Sequence, residues 1–227
     1  MSPYSTCVIV PTYNEATVIK ETIMGLLNRN YIIIVVDDGS SDNTYEILYD
    51  LPIFYLSHLT NLGQGAAIKT GIEFGLNKGY EYFVTFDGDG QHNPEDIKHM
   101  LNHMIVNKYD IIFGSRFLTN SSKSVPKLRK MLLMCARYFN FAITQILLSD
   151  AHNGLRTFTK ETAKLLRFRE NKMAHATEIL FDVKHNQLKY TEFPMQVLYT
   201  AYSINKGQTE FDGFKVLQDI LLNKIFR

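Results

Sequence analysis

Three observations predict an α/β fold, a mostly parallel sheet flanked by helices. Runs rich in β-branched and aromatic residues alternate with amphipathic segments through the first half of the chain. The runs end in polar or glycine-rich clusters. The run Tyr82 to Phe86 has the make-up of a buried strand and passes directly into Asp87-Gly88-Asp89-Gly90-Gln91-His92. Alternation of this kind builds right-handed crossovers and places a ligand in the crevice at the carboxyl ends of the strands.

In chain order, Thr6 to Val10 reads as a strand closed by Pro11-Thr12-Tyr13-Asn14-Glu15. A helix follows with Val18, Ile19, Ile23, Leu26 and Leu27 on one face. Tyr31 to Val36 is continuously apolar, as expected of a strand covered on both sides, and ends in Asp37-Asp38-Gly39-Ser40-Ser41-Asp42. Ser41 or Asp42 caps a helix running to about Tyr49. Ile53 to Ser57 is a third strand, and Asn61-Leu62-Gly63-Gln64-Gly65 leads into a helix from Ala66 to Asn77. After the central run, Asn93 as N-cap and Pro94 at the first position open a helix from Glu95 to Val106. Tyr109 to Phe113 is a fifth strand, ending at Gly114-Ser115-Arg116.

The second half is less regular. Ser121 to Pro126 reads as a loop and Lys127 to Leu148 as one long helix. Asn153 to Thr159 and Tyr190 to Tyr199 are strand-like, Glu161 to Leu166 and Thr177 to Asn186 helical, and Phe211 to Phe226 an amphipathic terminal helix.

With 227 residues the chain has room for a single domain, 1–227, with a sizeable core. A net charge of +1 argues against nucleic-acid binding. Ile111 to Ser149 nevertheless holds no acidic residue and six basic ones, Arg116, Lys123, Lys127, Arg129, Lys130 and Arg137. Such a stretch suits a phosphate or an anionic membrane surface, and equally a solvated helix face. Cys7 and Cys135 imply no disulfide framework and fit a reducing cytoplasm. Met131 to Leu148 is interrupted by Arg137, Asn140, Thr144 and Gln145 and is a poor membrane span.

Asp87 and Asp89 carry the clearest chemistry. Two carboxylates one residue apart at the end of a buried strand are costly unless a cation or donor satisfies them. Oxygen ligands of this type suit Mg²⁺ or Mn²⁺, whose coordination a nucleotide diphosphate can complete. A solvated polar turn is the plainer alternative.

Taken together, Val10-Pro11-Thr12-Tyr13-Asn14-Glu15, Val35 to Asp42, Asn61-x-Gly63-x-Gly65-Ala66, Asp87-x-Asp89-x-Gln91-His92-x-Pro94 and Gly114-Ser115-Arg116 resemble the family 2 glycosyltransferases of the GT-A fold. The branch they resemble includes dolichyl-phosphate mannosyltransferase and bacterial polyprenyl-phosphate glycosyltransferases. Asn153-Gly154-Leu155-Arg156, Glu178 and Ser203-x-x-Lys206-Gly207 extend the match more loosely. The resemblance implies a nucleotide-sugar-binding half, 1–116, and an acceptor-binding half, 117–227. It places Pro11, Tyr13 and Glu15 along the nucleotide, with Asp38 accepting from the base. It also makes Asp87, Asp89 and Gln91 the metal ligands, with Asp87 serving the nucleotide through the ion. Arg116, Arg129 and Lys206 are implied to hold the acceptor phosphate, and Asp89, Arg116 and Glu178 to be catalytic.

The activity so implied is inverting, metal-dependent transfer of a hexose from a UDP- or GDP-linked sugar to a polyprenyl phosphate. Its product would serve surface polysaccharide or glycolipid assembly. The alternative acceptor is a hydroxyl of a lipid-linked saccharide, which needs a base, Glu178 or, more weakly, Asp150. A nucleotide-sugar-binding protein without activity is a third reading. Many relatives in that branch carry transmembrane helices after the catalytic domain, whereas this chain reaches Arg227 without one. A cytoplasmic enzyme, peripheral at the inner face of the plasma membrane, is therefore expected, with Lys127 to Leu148 or the terminal helix in the interface. The terminal helix could also pair two subunits.

Overall fold

A computed structural model of the chain describes residues 5–118, 137–138, 140–171 and 174–196. β1 (Thr6–Thr12), β2 (Ile32–Asp37), β3 (Phe54–Ser57), β4 (Tyr82–Thr85) and β5 (Ile111–Ser115) alternate with α1 (Ile19–Leu27), α2 (Thr44–Leu48), α3 (Gln64–Asn77) and α4 (Glu95–Asn107). After them come β6 (Arg156–Thr159), α5 (Lys160–Leu165), α6 (His175–His185) and β7 (Tyr190–Pro194).

The strands form one sheet in the order β3-β2-β1-β4-β6-β5-β7. All neighbours are parallel except β6, which runs antiparallel to both β4 and β5. The mostly parallel, doubly covered sheet expected from the sequence is thus present. The sequence did not reveal that a reversed strand separates β4 from β5.

Alternating side chains send each strand's residues to opposite faces, and each face has its own core. Ile9, Ile34, Phe83, Phe113 and Phe158 pack under α3, α5 and α6. Val8, Val10, Ile33, Val84 and Ile112 pack under α1, α2 and α4. Phe83 of β4 stacks on Phe158 of β6 with centroids 5.8 Å apart, joining the two halves of the chain. α3 lies close on the sheet because Gly71 has no side chain: a Cβ there would meet Ile9 Cγ2 at 2.4 Å. That approach delivers the start of α3 to the carboxyl ends of β1 and β4.

Several boundaries differ from expectation. The helix expected to reach Leu148 ends at Thr144, because Gln145 takes a left-handed φ of 59°. Beyond it, Ile146 and Leu148 are buried, while Leu147 is 44% exposed. That alternation is of extended chain, not helix. Asn153 to Leu155 are not strand but a loop, in which Asn153 Oδ1 accepts from the Leu155 amide at 2.9 Å. Pro94 takes the cap position of α4, and Asn93 Oδ1 accepts from the Glu95 amide at 3.1 Å. The expected loop Ser121–Pro126, Lys127 to 136 of the long helix, the part of the last strand beyond Gln196 and the terminal helix lie outside the described residues. Among the described residues no helix is long and apolar enough to cross a membrane.

Candidate active site

The loops that leave β1, β2 and β3 at their carboxyl ends are locked to one another. The Asn14 amide donates to Ser40 Oγ at 2.9 Å, the Ser41 amide to Asn14 Oδ1 at 2.9 Å, and the Ala16 amide to Asp42 Oδ2 at 3.0 Å. Asp38, 4% exposed, accepts from the amides of Leu62 and Gly63 at 3.0 and 2.7 Å and from His58 at 2.7 Å. Both carboxylate oxygens thus hold the next loop in place. Pro11 is buried in β1 beside Val36. Tyr13 is 43% exposed on the same rim, and the Glu15 carbonyl starts α1 by accepting from Val18 and Ile19.

The second cluster forms where β4 ends. Gln64, at the start of α3, donates through Nε2 to Asp87 Oδ1 at 2.9 Å, and His92 Nε2 donates to Asp87 Oδ2 at 3.1 Å. Burial opposes ionisation of Asp87, but the bond from His92 and the charges of His92, Arg156 and His175 outweigh it. Its carboxyl is held below the usual range. Asp89 goes the other way: burial first, then the Asp87 charge, push it up to about 6. Gln91 donates its backbone amide to Asp89 Oδ1 at 3.0 Å. Two neighbouring carboxylates, the ionisation of one opposed by burial and by the charge of the other, form a donor set that a divalent cation would relieve. Among the described residues no group of three His, Cys, Asp or Glu side chains clusters as metal ligands. Protein oxygens from Asp87 and Asp89 would therefore need a substrate's oxygens beside them.

The loop before β6 closes over this pair. Thr85 Oγ1 donates to the Gly154 carbonyl at 2.6 Å, and a Cβ on Gly154 would fall 2.0 Å from Asp87 Oδ2. Only glycine fits against that carboxylate. His152, in the same loop, is lowered to about 4 by burial, against the pull of Asp150 and with smaller help from the charges of Arg156 and Arg116. Its imidazole is neutral at physiological pH.

Arg116 and Asp150 meet partners within the protein. Arg116 was to hold the acceptor phosphate and Asp150 was the weaker base. They pair with each other: Arg116 Nε lies 2.6 Å from Asp150 Oδ2 and a terminal nitrogen 3.2 Å from Oδ1. Both are buried, at 8% and 3% exposure. Glu192 of β7 anchors the same loop, accepting from the Ser149 and Asp150 amides at 2.7 and 3.1 Å. Asp150→Ala should therefore cost about 3–5 kcal/mol of stability, read by urea unfolding, because it strands a buried guanidinium. Glu178 sits in the first turn of α6, and its two oxygens accept from the amides of Arg169 and Glu170 at 3.0 and 2.9 Å. It ties down the loop entering α6. Arg129 and Lys206 lie outside the described residues. Sequence reasoning missed Gln64 and the contact of Gly154 with Asp87. The signals available were the Gly-x-Gly spacing around Gln64 and the Asn153-Gly154-Leu155-Arg156 match.

Residues 7–167 match the family described as Glycosyl transferase family 2. The chain is a family 2 glycosyltransferase. The enzyme is 32% identical over 238 residues to the UDP-N-acetylglucosamine–dolichyl-phosphate N-acetylglucosaminyltransferase of Methanococcus voltae, covering 96% of this chain and 95% of that one. It is 31% identical to the polyprenol monophosphomannose synthase of Mycolicibacterium smegmatis over 69% of this chain and 62% of that protein. The glucosyl-3-phosphoglycerate synthase of Mycobacterium tuberculosis, solved with Mn²⁺, UDP and phosphoglyceric acid, superposes with a TM-score of 0.66. The superposition covers 94% of this chain and 77% of that one at 14% identity. The glycosyltransferase thus has the GT-A fold.

Proposed function

We propose that the enzyme transfers a sugar from a nucleotide sugar to a polyprenyl phosphate, with inversion at the anomeric carbon and a bound Mg²⁺ or Mn²⁺. The observation that carries the choice of acceptor is the engagement of both candidate bases. Asp150 is paired with Arg116, and Glu178 is held by two amides. A hydroxyl acceptor needs a carboxylate to take its proton, whereas a phosphate monoester is already anionic at neutral pH. The name of the Methanococcus voltae relative supports the same acceptor and favours UDP-N-acetylglucosamine as donor, with GDP-linked sugars the alternative.

In this reading a phosphate oxygen attacks the anomeric carbon from the face opposite the leaving group. The bond from that carbon to the diphosphate breaks, and the nucleoside diphosphate departs with the electron pair. A divalent cation held by Asp87 and Asp89, with Gln91 beside them, would neutralise the departing diphosphate. Gln64 and His92 fix the orientation of Asp87, and Pro11, Tyr13 and Glu15 border the nucleotide. Arg129 and Lys206 are proposed to hold the acceptor phosphate. Membrane contact is proposed to be peripheral. Leu118, Tyr138, Phe141 and Leu147 are exposed by 44–58% at either end of the basic segment, and an interfacial surface combines such side chains with cations.

Incubation with labelled UDP-N-acetylglucosamine or GDP-mannose, Mn²⁺, and either polyprenyl phosphate or free saccharides tests the reading. Acid-labile label extracted into butanol supports it; transfer to saccharides alone overturns it. Glu178→Gln provides a second check. It should keep turnover on polyprenyl phosphate within about threefold, where loss of a general base would cost about 10²–10⁴.

A further inference from the structure

Arg156 opens β6 and pairs in register with Thr85, the last residue of β4, and with Phe113 of β5. It therefore stands at the carboxyl end of the parallel strands, level with the first residue of the Asp87–Asp89 loop. Alternation along β6 puts it on the face of Phe158, the face packed under α3 and α6. Its side chain is 2% exposed, yet its Nε and Nη1 have no hydrogen-bond partner.

Guanidinium groups with buried, unmade hydrogen bonds are rare because each orphaned donor of a charged group is costly. The carboxylates nearest in charge to Arg156 are Asp87 and Asp150. Both are bonded to other donors, Asp87 to Gln64 and His92 and Asp150 to Arg116. Arg156 thus interacts electrostatically with two anchored carboxylates and is bonded to neither. Burial lowers its own proton affinity to about 10, so it keeps its charge at neutral pH. A planar fork of this kind, charged and without bonds, matches a phosphate oxyanion.

We infer that Arg156 holds an oxyanion of the substrate at the reaction centre, and that this oxyanion belongs to the attacking phosphate of the acceptor. The inference rests on the proposed transfer to a polyprenyl phosphate. The donor diphosphate is the other source of the same chemistry. It is disfavoured because Asp87 and Asp89 border that position, so the diphosphate would reach them through a cation. Arg156 acts on Asp150 and His152 as well as on Asp87, and is not among the charges that shift Asp89. The acceptor phosphate carries two negative charges, and a single buried guanidinium both attracts and orients it beside the anomeric carbon.

The test compares wild type with Arg156→Gln and Arg156→Lys. Three quantities are read: urea stability, affinity for UDP and GDP with Mn²⁺ by calorimetry, and affinity and KM for a short-chain prenyl phosphate. Arg156→Gln should leave urea stability unchanged or raised, since no protein hydrogen bond is lost. Nucleotide affinity should be unchanged, and prenyl-phosphate binding should weaken about 10- to 100-fold, the loss expected for one charge-assisted contact. Arg156→Lys, which keeps the charge without the fork, should recover part of it. Weakened nucleotide affinity with intact acceptor binding would assign the oxyanion to the donor and overturn the inference. Stability falling together with both affinities, or no change in either affinity, would make Arg156 structural and also overturn it. A wild-type enzyme that fails to bind the prenyl phosphate sinks the proposed function itself. A variant that binds it as well as wild type sinks only the role of Arg156.

Discussion

Replacing Asp89 by Asn should make the metal-free protein more stable at pH 7 and abolish its turnover. Burial and the neighbouring Asp87 lift the Asp89 carboxyl from 3.8 to about 6. A carboxyl raised in this way costs the fold nothing below pH 3.8, and its cost appears as pH rises through about 6. At pH 7 the charged side chain destabilises the fold by on the order of 2 kcal/mol. The asparagine removes that cost and still accepts from the Gln91 amide. Thermal unfolding without metal should shift upward by about 4–8 °C in the variant. Added Mn²⁺ should then raise the wild-type midpoint and leave the variant's unmoved. A variant that unfolds earlier than wild type at pH 7 would mean that Asp89 is stabilised by groups other than those facing it.

Gly154→Ala should inactivate the enzyme without unfolding it. The added methyl falls 2.0–2.3 Å from the carboxylate atoms of Asp87, which must swing away. The displaced group is the end of a side chain and not backbone, so the fold can yield locally. Asp87 would lose its geometry toward Gln64 and His92, and with it the cation site. Misplacement of about 1 Å at such a site costs on the order of 10²-fold in kcat/KM. Steady-state kinetics and a melting curve on the same preparation check both halves. Retained activity would place the working position of Asp87 elsewhere.

The parallel strands were legible because each is an apolar run closed by a polar cluster, a pattern that burial on both faces forces. The carboxylate pair after β4 was legible for the same reason: charge at the end of a buried strand is conspicuous. The second half was not. Glu178 and Asp150 read as unattached acids because a sequence does not show which amide or guanidinium meets them. Asp38 read as a base acceptor for the same reason, although it fastens one loop to the next. The long helix was overextended because nothing in the apolar pattern around Gln145 announces a left-handed residue. Arg156 was quoted within Asn153-Gly154-Leu155-Arg156 but given no role, because a single charge opening Arg-Thr-Phe-Thr does not show that its hydrogen bonds go unmade.

The reversed strand between β4 and β5 has a consequence for how the molecule is made. As the chain leaves the ribosome, β4 and β5 both emerge before the strand that must lie between them, and β6 follows β5 only after some 40 residues. Until it arrives, β4 presents an unpaired backbone edge, and β5, whose neighbours β6 and β7 both come later, has no partner in the sheet. The nascent first half therefore cannot finish its own sheet. The sheet is whole only when a late segment slides into the middle of an early one, so the second half of the chain is what completes the first.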